Sequence, residues 1–136
     1  MSEKTKLAVL GFPVSHSKSP IIHNYWINSL SLEAEYDSHE VHPERFDKDR
    51  LKEFVSKGYS GFNITLPLKE SAIDYCDEID EVAEQIGAVN TIHVSNGKFI
   101  GTNTDAFGFI QSIKDQIPDF NFTDRPAVVL GAGGAA

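Results

Sequence analysis

Three polar residues in one short stretch invite a chemical reading: Asn63, Thr65 and Lys69 within Gly61-Phe62-Asn63-Ile64-Thr65-Leu66-Pro67-Leu68-Lys69. With a period of two the stretch reads as a strand, Phe62, Ile64 and Leu66 on one face and Asn63 and Thr65 on the other. Pro67 has no N–H to donate and keeps Leu66 extended, so it ends the strand. A helical pattern through Cys76 comes next, which places Lys69 in a first helical turn. Burying Asn63 and Thr65 unpaired would cost about 1–3 kcal/mol each. They are better placed in an open crevice at the strand's carboxyl end, where α/β sheets bind ligands. An amine there could take a proton from a hydroxyl if its pKa were lowered; the helix N-terminus lowers it and a nearby carboxylate opposes that. The bland alternative makes Lys69 a solvated surface lysine.

Two further stretches could bring partners to that crevice. Gly11 to Pro20 is a Gly, Pro and Ser loop. Ser19-Pro20 reads as a helix start, an N-cap followed by proline at the first position. Ser17 and Ser19 would then stand beside free helical N–H groups, a place for an anion. In the plainer reading Ser19 only caps and Ser17 is a loop residue. Asn96-Gly97 between two strand-like runs, residues 88–95 and 98–101, is a hairpin signal. A two-residue turn pairs Ser95 with Lys98, which sets Asn90 opposite Asn103. Asp105 lies two residues on, a diagonal neighbour of Asn90 at roughly 7–8 Å. Asp105 as a helix cap, and Asn63 and Asn90 as turn or ladder-end residues, are the alternatives.

The elements that must hold these residues alternate. Leu7 to Leu10 is a buried strand; Ile21, Ile22, Tyr25, Trp26 and Leu30 repeat at helical spacing, with Tyr25 and Trp26 read as core. A strand over 36–41 and a helix over 43–57 stopped by Gly58 come next. The second half adds a helix carrying Ile79, Val82, Ala83 and Ile86 up to Gly87, the hairpin, and a helix over 106–117. Residues 118–126 form a break. Residues 127–130 are a buried-type strand running into Gly131-Ala132-Gly133-Gly134-Ala135-Ala136, a G-x-G-x-x-A turn of the phosphate-binding kind. The expected fold is α/β in three layers, with a mixed, mainly parallel sheet containing an antiparallel hairpin.

Composition narrows the function classes. The 136 residues carry 12 basic and 20 acidic side chains, a formal charge of −8, which argues against nucleic-acid or anionic-membrane partners. One cysteine, Cys76, excludes an internal disulfide and is read as core. The four apolar residues after the N-terminal Met-Ser-Glu-Lys-Thr-Lys are too few for a secretory signal, so a cytoplasmic location is expected. His39-Glu40-Val41-His42 does not have the H-E-x-x-H zinc spacing, and no metal is expected.

Together the motifs resemble the shikimate dehydrogenase family. The likeness rests on Gly11-x-Pro13-x-x-His16-Ser17-x-Ser19-Pro20-x-x-His23, Asn63 to Lys69, Gly87 to Thr91, Asn103-Thr104-Asp105 and the Gly131 to Ala136 turn, in that order over the whole chain. The resemblance implies an enzyme of aromatic amino acid biosynthesis that reversibly reduces 3-dehydroshikimate with NADPH. Residues 1–117 would form the substrate-binding domain with its connecting helix. Residues 118–136 would form a linker and the start of a truncated NADP-binding Rossmann domain. Ser17 and Ser19 would bind the substrate carboxylate, and Asn63, Thr65, Lys69, Asn90 and Asp105 the ring hydroxyls. Lys69 and Asp105 would be the catalytic pair, and Gly131, Ala132, Gly133, Gly134 and Ala135 would meet the cofactor. The rest of the cofactor domain and a returning glutamine helix of the family are missing, so the chain alone is expected to bind substrate without turnover. An NAD-linked quinate dehydrogenase, a non-catalytic hydroxy-carboxylate binder and a purely structural domain are the alternatives. Exposed apolar tail residues, Val128 to Leu130, are expected to be disordered or to pair with another chain.

Overall fold

The computed structural model describes residues 4–123, 126–131 and 133. Among these residues six strands form one sheet: β1 (Thr5–Gly11), β2 (Ala34–Glu40), β3 (Tyr59–Ile64), β4 (Glu78–Ile79), β5 (Thr91–Ser95) and β6 (Lys98–Thr102). Their spatial order is β2-β1-β3-β5-β6-β4. All neighbours are parallel except β5, which runs antiparallel to both β3 and β6. Four α-helices accompany them: α1 (Ser19–Ser29), α2 (Lys48–Ser56), α3 (Glu81–Ile86) and α4 (Asp105–Gln116). The architecture is the α/β fold with a mixed sheet and antiparallel hairpin that the alternation predicts.

The apolar run of β1 is buried on both faces, because β1 has a parallel neighbour on each side and a helical layer above and below. Ala8 and Leu10 point into the larger core with Phe46, Leu51, Phe54, Phe62, Ile64 and Leu68. Val9 points the other way, to Val14, Ile27 and Tyr36 beneath α1.

Several expected elements take a different form. The single helix over 43–57 is a 3₁₀ turn (Pro43–Arg45) and then α2, because Asp47, extended at φ −150°, caps α2 by accepting from the Arg50 N–H at 2.7 Å. The helical pattern containing Ile79 is divided too. Ile79 pairs with Gly101 in β4, and Asp80 starts α3 by accepting from the Ala83 N–H at 2.7 Å. Gly87 ends α3 in the left-handed conformation at φ 76°. Residues 127–130 make no strand; they find no neighbouring strand to pair with among the described residues, and Val128, Val129 and Leu130 are exposed.

Helix α1 departs most in burial. Only Ile27 is buried; Ile21, Ile22, Leu30, Tyr25 and Trp26 are exposed, so Tyr25 and Trp26 are not core. The side of α1 that meets the sheet carries His23 and Asn24 with Ile27, and its contacts are polar and aromatic rather than aliphatic.

Candidate functional site

The polar residues singled out by their spacing converge at the carboxyl ends of β1, β3 and β6. Strand β3 ends at Ile64, short of the Leu66 that its pattern includes. Thr65 still donates its N–H to Leu10 O, but the chain then turns, and the Leu68 N–H bonds back to Thr65 O. Leu66 is 62% exposed at that turn, and Leu68 takes the buried place instead. The Leu66–Pro67 peptide is cis. The next element is a 3₁₀ turn (Ser71–Tyr75) and not an α-helix, since the bonds run from Ile73 N–H to Glu70 O and from Cys76 N–H to Ile73 O. Lys69 therefore lies in a loop before that turn, and the helix-dipole effect on its amine does not apply.

Lys69 is not a solvated lysine. Its side chain is 14% exposed and its Nζ donates to Asp105 Oδ2 at 2.6 Å. Asp105 opens α4, but it does not cap it with its side chain. The carboxylate turns across to Lys69, while Asn103 Oδ1 accepts the Asp105 N–H at 2.9 Å. Asn103 is buried and its Nδ2 donates to Ala88 O at 2.9 Å, which ties the start of α4 to the segment before β5.

The hairpin register holds from Ser95–Lys98 to Thr91–Thr102. It carries Asn90 to Asp105, where Nδ2 donates to Oδ1 at 2.9 Å. Asn90 also donates to Thr104 Oγ1 at 2.8 Å and accepts from Thr91 Oγ1 at 3.0 Å and from the Thr104 N–H at 3.1 Å. An amide has two donors and two simple acceptor positions, and all four are engaged. A ligand hydroxyl reaches Asn90 only by replacing one of these partners.

Asn63 extends the same network. Its Nδ2 donates to Thr91 Oγ1 at 3.1 Å and its Oδ1 accepts from the Tyr36 hydroxyl at 2.7 Å. Burial, then the charge of Asp37, push the Tyr36 phenol above its ordinary value, so it stays protonated. Ser17 Oγ accepts the Ser19 N–H at 3.2 Å, which leaves its own proton free. Lys18, not Ser19, stands at the N-cap of α1 and makes no side-chain cap bond; Ser19 is the first helical residue. The Thr65 hydroxyl has no hydrogen bond among the described residues.

From Tyr36 to Lys69 the bonds form one continuous line, crossing β2, β3, β5 and both sides of the hairpin. Tyr36, Thr91, Thr104 and Asn103 belong to it and were assigned no role from the sequence, although Thr91, Asn103 and Thr104 lie within the quoted motifs. The signal for Thr91 and Thr104 was adjacency to Asn90 and Asp105; a tyrosine in a weakly patterned strand offers none.

Beside Lys69 and Asp105 opens a cleft of about 730 Å³, whose other walls include Leu66, Phe109, Leu130 and Gly131. Gly131 and Gly133 face the same space; Ala132, Gly134 and Ala135 lie outside the described residues. Gly131 has φ +119°, a conformation that side chains rarely adopt, and no atom within 4 Å of where a Cβ would stand. Among the described residues no group of three His, Cys, Asp or Glu side chains could hold a metal ion. None of the described helices is long and apolar enough to cross a membrane.

Residues 9–92 match the family model of the shikimate dehydrogenase substrate binding domain. The chain belongs to this family. A shikimate dehydrogenase (NADP(+)) of Brucella abortus strain S19 is 42% identical over all 136 residues, which cover 46% of that relative. A crystal structure of shikimate dehydrogenase in complex with NADP+ superposes with a TM-score of 0.89 at 39% identity, over 97% of this chain and 45% of the other. The Thermus thermophilus shikimate 5-dehydrogenase in complex with shikimate gives 0.85 at 45% identity, over 96% of this chain and 49% of that one. The chain spans about half the length of the curated relatives it matches.

Proposed function

We propose that this chain is the substrate-binding part of an NADP-dependent shikimate dehydrogenase, the enzyme that interconverts 3-dehydroshikimate and shikimate. The observation that carries the reading is the Lys69–Asp105 pair at 2.6 Å, set at the end of a line of amides and hydroxyls and opening on a cleft. A cyclic hydroxy acid needs an anion-holding group at one end and hydroxyl partners along its ring. The free proton of Ser17 beside the start of α1 suits the carboxylate. Thr65, the unused second proton of Asn63 and the two unused protons of Lys69 suit the hydroxyls.

The residues present fit a dinucleotide in one respect: Gly131 and Gly133 offer backbone without side chains at the edge of the cleft. NADP(H) would supply the hydride chemistry when bound. The work of this chain is to handle the proton. In the reduction, the Lys69 ammonium donates a proton to the carbonyl oxygen as negative charge grows on it. In the oxidation, the neutral amine takes the hydroxyl proton. Asp105 holds the amine in place through one oxygen while Asn90 fixes the other, so the carboxylate cannot swing away.

Lys69→Ala in the full-length enzyme should lower kcat by about 10²–10⁴-fold, with the circular dichroism of the fold unchanged. Turnover within a few-fold of the parent would end the proposal. In the chain studied by itself, shikimate should shift the NMR resonances of Ser17, Asn63 and Lys69.

A further inference from the structure

We propose that Gly11 is a positioning residue for Thr65: the space left by its missing side chain seats the Thr65 methyl and so fixes where the Thr65 hydroxyl stands. The kinetic consequence rests on the shikimate dehydrogenase reading; the geometry stands without it.

Gly11 closes β1 and is buried. Its backbone does not call for glycine, since its φ lies outside the left-handed range that Gly58, Gly87, Gly97 and Gly131 occupy. What it supplies is room. A Cβ at Gly11 would stand 2.4 Å from Thr65 Cγ2, 3.0 Å from Leu66 O and 3.6 Å from Val14 Cβ. The first distance is far inside the contact limit of two unbonded carbons. The Thr65 methyl therefore fills the place a side chain at position 11 would need.

The backbone on either side cannot easily back away. The Thr65 N–H donates to Leu10 O at 2.9 Å, and the Phe12 N–H donates to Leu66 O at 3.0 Å. These two bonds bracket Gly11 and clamp it to the Thr65 segment. On its other flank Gly11 O accepts from the Val41 N–H at 3.0 Å. An added methyl group at position 11 is met first by rotation of the Thr65 side chain.

Threonine turns a methyl position into a hydroxyl position. Its Cβ is a fixed stereocentre that carries methyl, hydroxyl and hydrogen in three staggered places. With the methyl against Gly11, the hydroxyl has one place left to it. Thr65 is half-buried, and its hydroxyl has no hydrogen bond among the described residues to steer it. Asn63 and Asn90 are aimed by hydrogen bonds; Thr65 is aimed by shape.

The test uses the full-length enzyme with Gly11→Ala, Thr65→Ser and the pair. Gly11→Ala expels the methyl and turns the hydroxyl with it. KM for shikimate should rise about tenfold, the scale of one net hydrogen bond, with kcat within about threefold. Thr65→Ser keeps the hydroxyl but frees it among the staggered positions, so KM should rise by about threefold or less. In the pair, the alanine methyl enters the space the threonine methyl has left, and KM should fall back to within about threefold of the parent. An unchanged KM in Gly11→Ala, or fold-changes that multiply in the pair, would overturn the proposal. A second measurement needs no mutation, so it decides even where Gly11→Ala does not fold. In the unmutated enzyme with labelled threonine methyls, couplings across Thr65 χ1 should report a single rotamer, with Overhauser contacts from the methyl to Gly11 Hα. Rotamer-averaged couplings also overturn it. If the unmutated enzyme does not turn over shikimate, the substrate reading fails, and the couplings alone decide the role of Gly11.

Discussion

Strand β2 feeds two polar clusters on opposite faces of the sheet. Tyr36 points to the line that ends at Lys69 and Asp105. Its neighbour Asp37 points the other way, with His39, to Tyr59 of β3. Taken by residue type, the second cluster is the more suggestive one. An aspartate, a histidine and a tyrosine lie together: Tyr59 donates to Asp37 Oδ2 at 2.7 Å, and His39 Nε2 is 2.8 Å from the Tyr59 oxygen. His39 Nε2 also comes within 3.0 Å of Asp37 Oδ1, an atom that is buried and has no hydrogen bond. Yet the surroundings are aromatic. Phe54 packs against both His39 and Tyr59, and Phe62 lies against Tyr59. Burial and then the bond to Asp37 push the Tyr59 phenol above its usual range. A phenol held protonated against packed rings is a structural tie. The Lys69 cluster has simpler chemistry but keeps unused protons beside an open cleft. The two clusters are told apart by spare hydrogen-bonding capacity at an opening, not by the list of residue types.

The contrast can be broken at either end. Asp105→Asn should lower kcat about 10²-fold while leaving the melting temperature within a few degrees, since it keeps the shape but loses the ion pair with Lys69. Steady-state kinetics beside a thermal melt checks both halves. Tyr59→Phe should do the converse. It removes a donor from a half-exposed carboxylate and should cost about 0.5–1.5 kcal/mol in denaturant unfolding, with kcat and KM unchanged. A loss of turnover in Tyr59→Phe would make the second cluster functional.

The smallest effect concerns pH. Burial lowers the His23 pKa below 6.5. A folded state that resists protonation is destabilised as pH falls below the unfolded value, because the unfolded chain takes up the proton first. His23 should therefore weaken the fold progressively from about pH 6.5 downward, and the loss should level off once the folded pKa is passed. The melting temperature of His23→Phe relative to the parent should rise between pH 7 and pH 5. A constant difference across that range would show that the ring is not carrying the shift.

Local signals explain what could be read from the chain. Asn96-Gly97 demands a two-residue turn, and that turn alone sets Asn90 near Asp105. Strand β1 could be read from four apolar residues in a row, and Gly87 marked the end of α3. The features that stayed hidden depend on partners distant in sequence. Lys69 sits in a loop because Leu68, not Leu66, is drawn into the core. Ile79 belongs to a strand because β6 supplies an edge beside it. The apolar spacing of α1 implied a buried face, whereas Asn24 and His23 do the docking. Tyr36 looked like one aromatic in an indistinct strand, and only the fold brings Asn63 under its hydroxyl.

The bonds from Asn24 to Tyr36 have one more effect. β2 is the outer strand of the sheet on this side, and an outer strand ordinarily invites a visiting strand to zip alongside it. At Tyr36 the outward N–H and C=O are already taken by a side chain from the same molecule. A visitor would have to evict Asn24 before carrying the ladder past Tyr36, so growth along this border of the sheet is interrupted there.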